Sequence, residues 1–177
     1  MIGDDHMTAR VYVGTYAKYN SGSIKGAWVD LEALASHGDF IAECQKLHAD
    51  EADPELMFQD YEGFPRAYYS ESSIDPAVFD WLELDESDRE LLDAYQNAVD
   101  SDADIDRARE AYAGRGYDTE ADWAEEYLSD TGGLEGVPEH LKNYIDFEAY
   151  ARDARLGGDM VFHRDADGDL WVFYGNV

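Results

Sequence analysis

A single cysteine, Cys44, stands in 177 residues, so the chain can form neither an internal disulfide nor a cysteine-rich zinc site. Basic residues are scarce as well: 13 Lys and Arg stand against 41 Asp and Glu, for a formal net charge of -28 and a sequence pI near 4.1. Direct binding to nucleic acid or to an anionic membrane surface needs basic side chains to neutralise phosphates, so both partners are disfavoured. No stretch approaches the roughly 18 consecutive apolar residues that span a bilayer, and no N-terminal apolar run precedes a small-residue cleavage site. Together these absences predict a soluble protein of a reducing cytoplasm. The polar segment Met1 to Met7 is either a natural leader or a remnant of cloning, with Met7 the alternative start; fold reasoning begins after it.

What is present is enough apolar surface to fold. Apolar residues make up 45% of the chain, with 4 Trp, 13 Tyr and 7 Phe, which offsets chain entropy in a packed core. Self-repulsion at a charge of -28 opposes folding and calls for a functional reason. A basic protein surface is the natural complement.

The acids are unevenly placed. Residues 1–66 hold 12 acids and 5 bases, residues 67–130 hold 20 and 4, and residues 131–177 hold 9 and 4. In the first part, Arg10 to Tyr16 and Ala27 to Leu31 read as strands, Asp39 to His48 as a helix ended by Asp53-Pro54, and Leu56 to Tyr61 as a short strand. In the middle part, Asp75-Pro76 opens one helix and a Ser87 to Glu90 capping box opens another. A further helix from about Asp104 to Ala113 stops at Gly114, and the next starts after Thr119. The last part reads as one helical pattern from Pro138 to Gly157-Gly158, then a hairpin of Met160 to His163 and Leu170 to Tyr174. The expected fold class is α+β. N- and C-terminal α+β modules with small antiparallel sheets (1–66 and 131–177) flank an acidic, mainly helical middle (67–130).

Motifs for chemistry fail on inspection. Asp165, Asp167 and Asp169 start like a calcium loop, but the glycine is at the fourth position and Asn176 stands where a bidentate Glu is required. His163-Arg164-Asp165 matches a kinase catalytic tripeptide without any of its companion motifs. Asn20 to Gly26 lacks the spacing of a phosphate loop and reads as a tight turn. His6, His37, His48, His140 and His163 are dispersed without metal-ligand spacing. Cys44 lies on an apolar helix face and reads as a core thiol. No catalytic residue, metal or cofactor is expected.

The acidic pattern itself remains. A charge run is usually a solvated face, yet here successive short helices carry their carboxylates outward. The candidate partner-binding acids are Asp80, Glu83, Asp85, Glu86, Asp88, Glu90, Asp93, Asp100, Asp102, Asp104, Asp106, Glu110, Asp118, Glu120, Asp122, Glu125, Glu126 and Asp130. Neighbours three or four apart on a helix stand about 5–6 Å apart, similar to phosphates along a strand. At the charge density of duplex DNA, the charge of one chain matches about 14 base pairs, and that of a dimer about 28, roughly 95 Å.

At this point a resemblance appears. Val11–Gly22, Lys25–Leu31, Pro54–Pro65, the acidic helical middle and Tyr144–Arg155 resemble an antirestriction protein of the ArdA type over nearly the whole chain after Met7. The resemblance implies an elongated, dimeric DNA mimic, encoded on bacterial mobile elements, that occupies the DNA-binding groove of type I restriction-modification enzymes. The segment from Leu134 to Arg155 resembles the family's antirestriction motif, and Tyr144, Ile145, Phe147 and Tyr150 are its candidate dimer contacts. Two other classes compete: a halophilic protein whose acids serve solvation, and a metal-dependent enzyme.

Overall fold

The computed structural model describes residues 8–176; the reading of Met1 to Met7 lies outside the described residues. The chain divides into two compact units, Met1–Asp85 and Glu86–Val177.

The first unit holds strand β1 (Arg10–Thr15), helix α1 (Tyr16–Asn20), β2 (Ala27–Asp30), α2 (His37–Leu47), β3 (Leu56–Glu62) and α3 (Ala77–Glu83). Its sheet is antiparallel in the order β2-β1-β3. Alternation along the strands sends Val11, Val13 and Val29 to one face, where Phe40 and Cys44 of α2 meet Phe58, Ile74 and Val78. Helix α2 starts two residues before the expected Asp39, because the Ser36 hydroxyl accepts from Asp39 N at 3.2 Å. The strand expected to run through Tyr16 ends at Thr15 instead, whose hydroxyl accepts from Lys18 N at 3.3 Å and caps α1. Helix α3 starts at Ala77 after Pro76, one residue later than the Asp75-Pro76 reading placed it, and the Asp75 carboxylate accepts from Ala77 N at 2.9 Å.

The second unit holds α4 (Glu86–Ala98), α5 (Ile105–Ala111), β4 (Tyr112–Tyr117), α6 (Glu120–Asp130), α7 (Glu139–Lys142), α8 (Phe147–Gly157), β5 (Met160–Arg164) and β6 (Leu170–Tyr174). Its antiparallel sheet has the order β4-β6-β5. The central strand is buried at four consecutive positions, Leu170 to Phe173, so both of its faces are covered. Leu170 and Val172 pack with Trp123, Ala124, Ala151 and Met160. Phe173 meets the Tyr95 ring of α4 edge-on at 5.2 Å.

Three local expectations are corrected here. Residues 112–117 form a strand where a helix end and loop were expected. Gly114, which read as a helix stop, and Gly116 take positive φ at two bulges that let β4 follow β6. A Cβ on Gly114 would come within 2.6 Å of the Tyr117 hydroxyl, so the glycine serves the strand. The pattern from Pro138 to Gly157 is two helices, because the Asp146 carboxylate accepts from Ala149 N at 2.9 Å and starts α8 afresh. Helix α4 begins at Glu86, so Ser87 and Glu90 lie inside it and form no capping box. The box is found at Thr119 and Asp122, at the head of α6. The architecture is α+β, with two small antiparallel sheets towards the chain ends and a mostly helical middle.

Candidate partner-binding surface

Helix geometry separates carboxylates from the core. In α4, Leu92, Ala94 and Tyr95 are buried while Glu86, Glu90 and Asp93 face water; in α6, Trp123 and Ala124 are buried while Asp122, Glu125 and Glu126 face water. Of the eighteen candidate acids, sixteen are exposed and two, Asp88 and Glu120, are half-buried. None of the described acids is buried.

These carboxylates fall into two chemical groups. The first is tied to the protein itself. Arg109 pairs with Asp88, and with Asp106 at 3.4 Å; Arg115 pairs with Glu90, and with Asp169 at 2.7 Å. Arg107 reaches Glu110 at 3.3 Å and Arg155 reaches Glu120 at 3.2 Å. Asp104 caps α5 by accepting from Arg107 N at 2.9 Å, Asp122 accepts from Thr119 N at 2.9 Å, and Asp100 accepts from Asp102 N at 3.1 Å. Glu126 accepts from the Tyr117 hydroxyl at 3.2 Å. The Tyr117 phenol is pushed up to about 12, first by burial and then by Glu126. Hydrogen bonds donated to Asp88 and Glu90 raise Arg109 and Arg115 respectively.

The second group faces only solvent. Asp80, Glu83, Glu86, Asp93, Asp102, Asp118, Glu125 and Asp130 make no ion pair and no side-chain hydrogen bond among the described residues. Asp85 has an interaction of its own. Counted by structural unit, residues 1–85 hold 17 acids and 5 bases, and residues 86–177 hold 24 and 8. The acid-rich stretch 67–130 therefore contributes to both units.

The four hydrophobic residues of the antirestriction segment have unequal surroundings. Tyr144, between α7 and α8, is 83% exposed. Ile145 is half-buried. Phe147 packs on the core of the second unit, and Tyr150 lies over Trp123 at 6.5 Å between ring centroids.

Groups that resemble chemical sites are satisfied internally. His48, Asp50 and Glu51 bring ligand-type atoms within 4.8 Å of one another, but they surround the Lys18 ammonium. Its Nζ is 2.8 Å from His48 Nδ1, 2.9 Å from Asp50 and 3.2 Å from Glu51. An ammonium can only donate, so Nδ1 accepts and the Nε2–H donates to Val13 O at 3.2 Å. A lysine thus takes the place a metal would need, a grouping not foreseen because Lys18 lies 30 or more residues from the other three. Asp165 turns its carboxylate onto its own hairpin, accepting from Asp167 N, Asp169 N and Trp171 Nε1 at 3.1, 2.9 and 2.7 Å. Cys44 is fully buried and burial pushes its thiol up to about 12, which suits packing and not nucleophilic attack.

Among the described residues no helix is long and apolar enough to cross a membrane. No curated protein matches the chain. Residues 11–166 match the family model described as Antirestriction protein (ArdA). The capped helices that hold outward carboxylates and the family match lead to one conclusion: the chain belongs to the ArdA family of antirestriction proteins, non-catalytic DNA mimics directed against type I restriction-modification systems.

Proposed function

We propose that the solvent-facing carboxylates, Asp80, Glu83, Glu86, Asp93, Asp102, Asp118, Glu125 and Asp130, make the main contacts, and that the tied carboxylates hold the helices that carry them. In this reading they replace phosphates against Lys and Arg of the restriction enzyme's DNA-binding groove in the cytoplasm. The supporting observation is that these eight have no partner within the described residues, while the arginines nearby are engaged by other acids. Carboxylates preset on capped helices lose less entropy on binding than a flexible acidic tail.

The acting form is a homodimer, with Tyr144 as the leading contact and Ile145 beside it. Phe147 and Tyr150 anchor the same segment to its own core. An exposed aromatic ring of this kind gains most by burial against a partner. Sedimentation of Tyr144→Ser against the unmodified chain tests the dimer; an unchanged mass would remove this contact.

The test of occupancy is competition. Cleavage by a purified type I enzyme should be inhibited competitively with DNA, and inhibition should weaken as salt rises, less steeply than DNA binding does. Non-competitive, salt-insensitive inhibition would overturn the mechanism.

A further inference from the structure

In the second unit, a cleft of about 420 Å³ is lined by Trp123, Tyr127, Tyr150, Asp159, Met160 and Tyr174, among others. Trp123 is 1% exposed, and its indole Nε1–H is the one buried side-chain polar atom among the described residues without a hydrogen-bond partner. Buried donors are nearly always satisfied, and in the same unit Trp171 obeys this by donating to Asp165 at 2.7 Å. Tyr127 stacks on Trp123 at 5.0 Å, while Tyr150 and Tyr174 are both 38% exposed. The Asp159 carboxylate is exposed and makes no ion pair or side-chain hydrogen bond among the described residues.

The chemistry of this cleft selects its ligand. Aromatic faces and an unneutralised carboxylate favour a cation, and the second unit, with 24 acids and 8 bases, repels an anion. A purely apolar ligand would leave both Asp159 and the indole N–H unmatched. A planar guanidinium stacks on rings and pairs with a carboxylate through parallel N–H groups, which an ammonium does not. The same unit already contains such a trio: the Arg115 guanidinium lies 4.3 Å from the Trp171 ring centre and 2.7 Å from Asp169. The cleft offers the aromatic and carboxylate members of that trio, and no Lys or Arg is among its lining residues.

We infer that this cleft receives an arginine side chain of the inhibited enzyme, with its guanidinium over the tyrosine rings and on Asp159 and an adjacent main-chain carbonyl accepting from Trp123 Nε1. This inference rests on the function proposed above and adds a discrete anchor to a distributed charge surface.

The experiment uses the full ¹⁵N-labelled chain, with the Trp123 indole signal assigned by Trp123→Phe. Titration with N-acetyl-arginine N-methylamide should move that signal saturably, and the uncharged citrulline analogue should bind on the order of tenfold more weakly. Asp159→Asn, checked for an otherwise unchanged spectrum, should lose the preference for arginine. It should also raise the concentration for half-inhibition of a type I enzyme about tenfold, while Glu148→Gln on α8 changes it less than about twofold. If the unmodified chain inhibits but Asp159→Asn inhibits equally and the indole signal ignores the arginine probe, the cleft is no anchor and the wider mechanism stands. If the chain does not inhibit, the wider mechanism fails and the enzyme-arginine assignment fails with it, even where the probe binds. An indole signal that shifts with protein concentration alone would assign the cleft to a second copy and overturn the inference.

Discussion

The two units use their few bases differently. In residues 1–85 the partly covered cation Lys18 draws His48, Asp50 and Glu51 around it, while Arg10 ties β1 to Glu62 of β3 and Lys46 reaches Glu43 within α2. In residues 86–177 arginines act as clamps between elements: Arg109 joins α5 to α4, Arg115 joins β4 to α4 and to the hairpin before β6, and Arg155 joins α8 to α6. Each clamp neutralises an acid near the fold's own joints and leaves the remaining acids of the same helices facing solvent. A guanidinium suits this role because its fork can serve two carboxylates at once.

The largest effect expected in the second unit is on its core. Trp123→Ala should destabilise the unit by about 3–5 kcal/mol, seen as lost amide-exchange protection in β5 and β6. Protection in β1 and β3 should persist; its equal loss would show that the units do not unfold separately. Replacing all eight solvent-facing carboxylates by their amides should weaken inhibition by more than about tenfold, with single changes within about twofold, and the thermal midpoint should hold or rise as repulsion falls. Asp88→Asn and Glu90→Gln should do the reverse, lowering the midpoint more than inhibition. If tied and solvent-facing acids behaved alike, the division between them would collapse.

Smaller effects probe the caps. Asp146→Ala, which removes the start of α8, and Thr119→Ala, which removes the capping box of α6, should each cost about 1 kcal/mol in urea unfolding.

The smallest effect is expected with pH. Lys18 holds Asp50 below the usual carboxylate range, and Thr15 followed by Lys18 does so for Glu51. The Trp171 indole and backbone N–H groups do so for Asp165. Depressed carboxyls contribute stability above their unfolded values near 4, lost as pH falls through the lower folded values. Lys18 is raised, first by Asp50, so its contribution is full below its unfolded value and is lost as pH rises through the folded one. Unfolding of Asp165→Asn followed from pH 6 to 2 should show a shallower acid-side fall than that of the unmodified chain.

Much of this was legible locally. Runs of β-branched and aromatic residues bounded by turn residues marked β1, β2, β5 and β6, and Asp75, Asp104 and Thr119 marked helix starts to within a residue or so, because strands and caps are written in a few adjacent residues. Tyr112–Tyr117 was not legible as a strand: two glycines in six residues look like a breaker unless β6 lies alongside to use their bulges. The break at Asp146 was hidden because a capping aspartate inside an apolar periodicity looks like a solvent-facing helical residue. The acidic surface was legible as composition but not as two groups.

The sequence by itself determined the charge, the apolar faces, most element types and the family, since each depends on residue identity or on short spacings. Only the tertiary structure decided which acids are tied within the fold and which face solvent. Arg109 meets Asp88 across 21 residues and Arg115 meets Asp169 across 54, and the orphaned Trp123 indole depends on rings and strands folded around it. An ion pair or a buried donor is a relation between distant positions, and only packing brings its members within hydrogen-bond range.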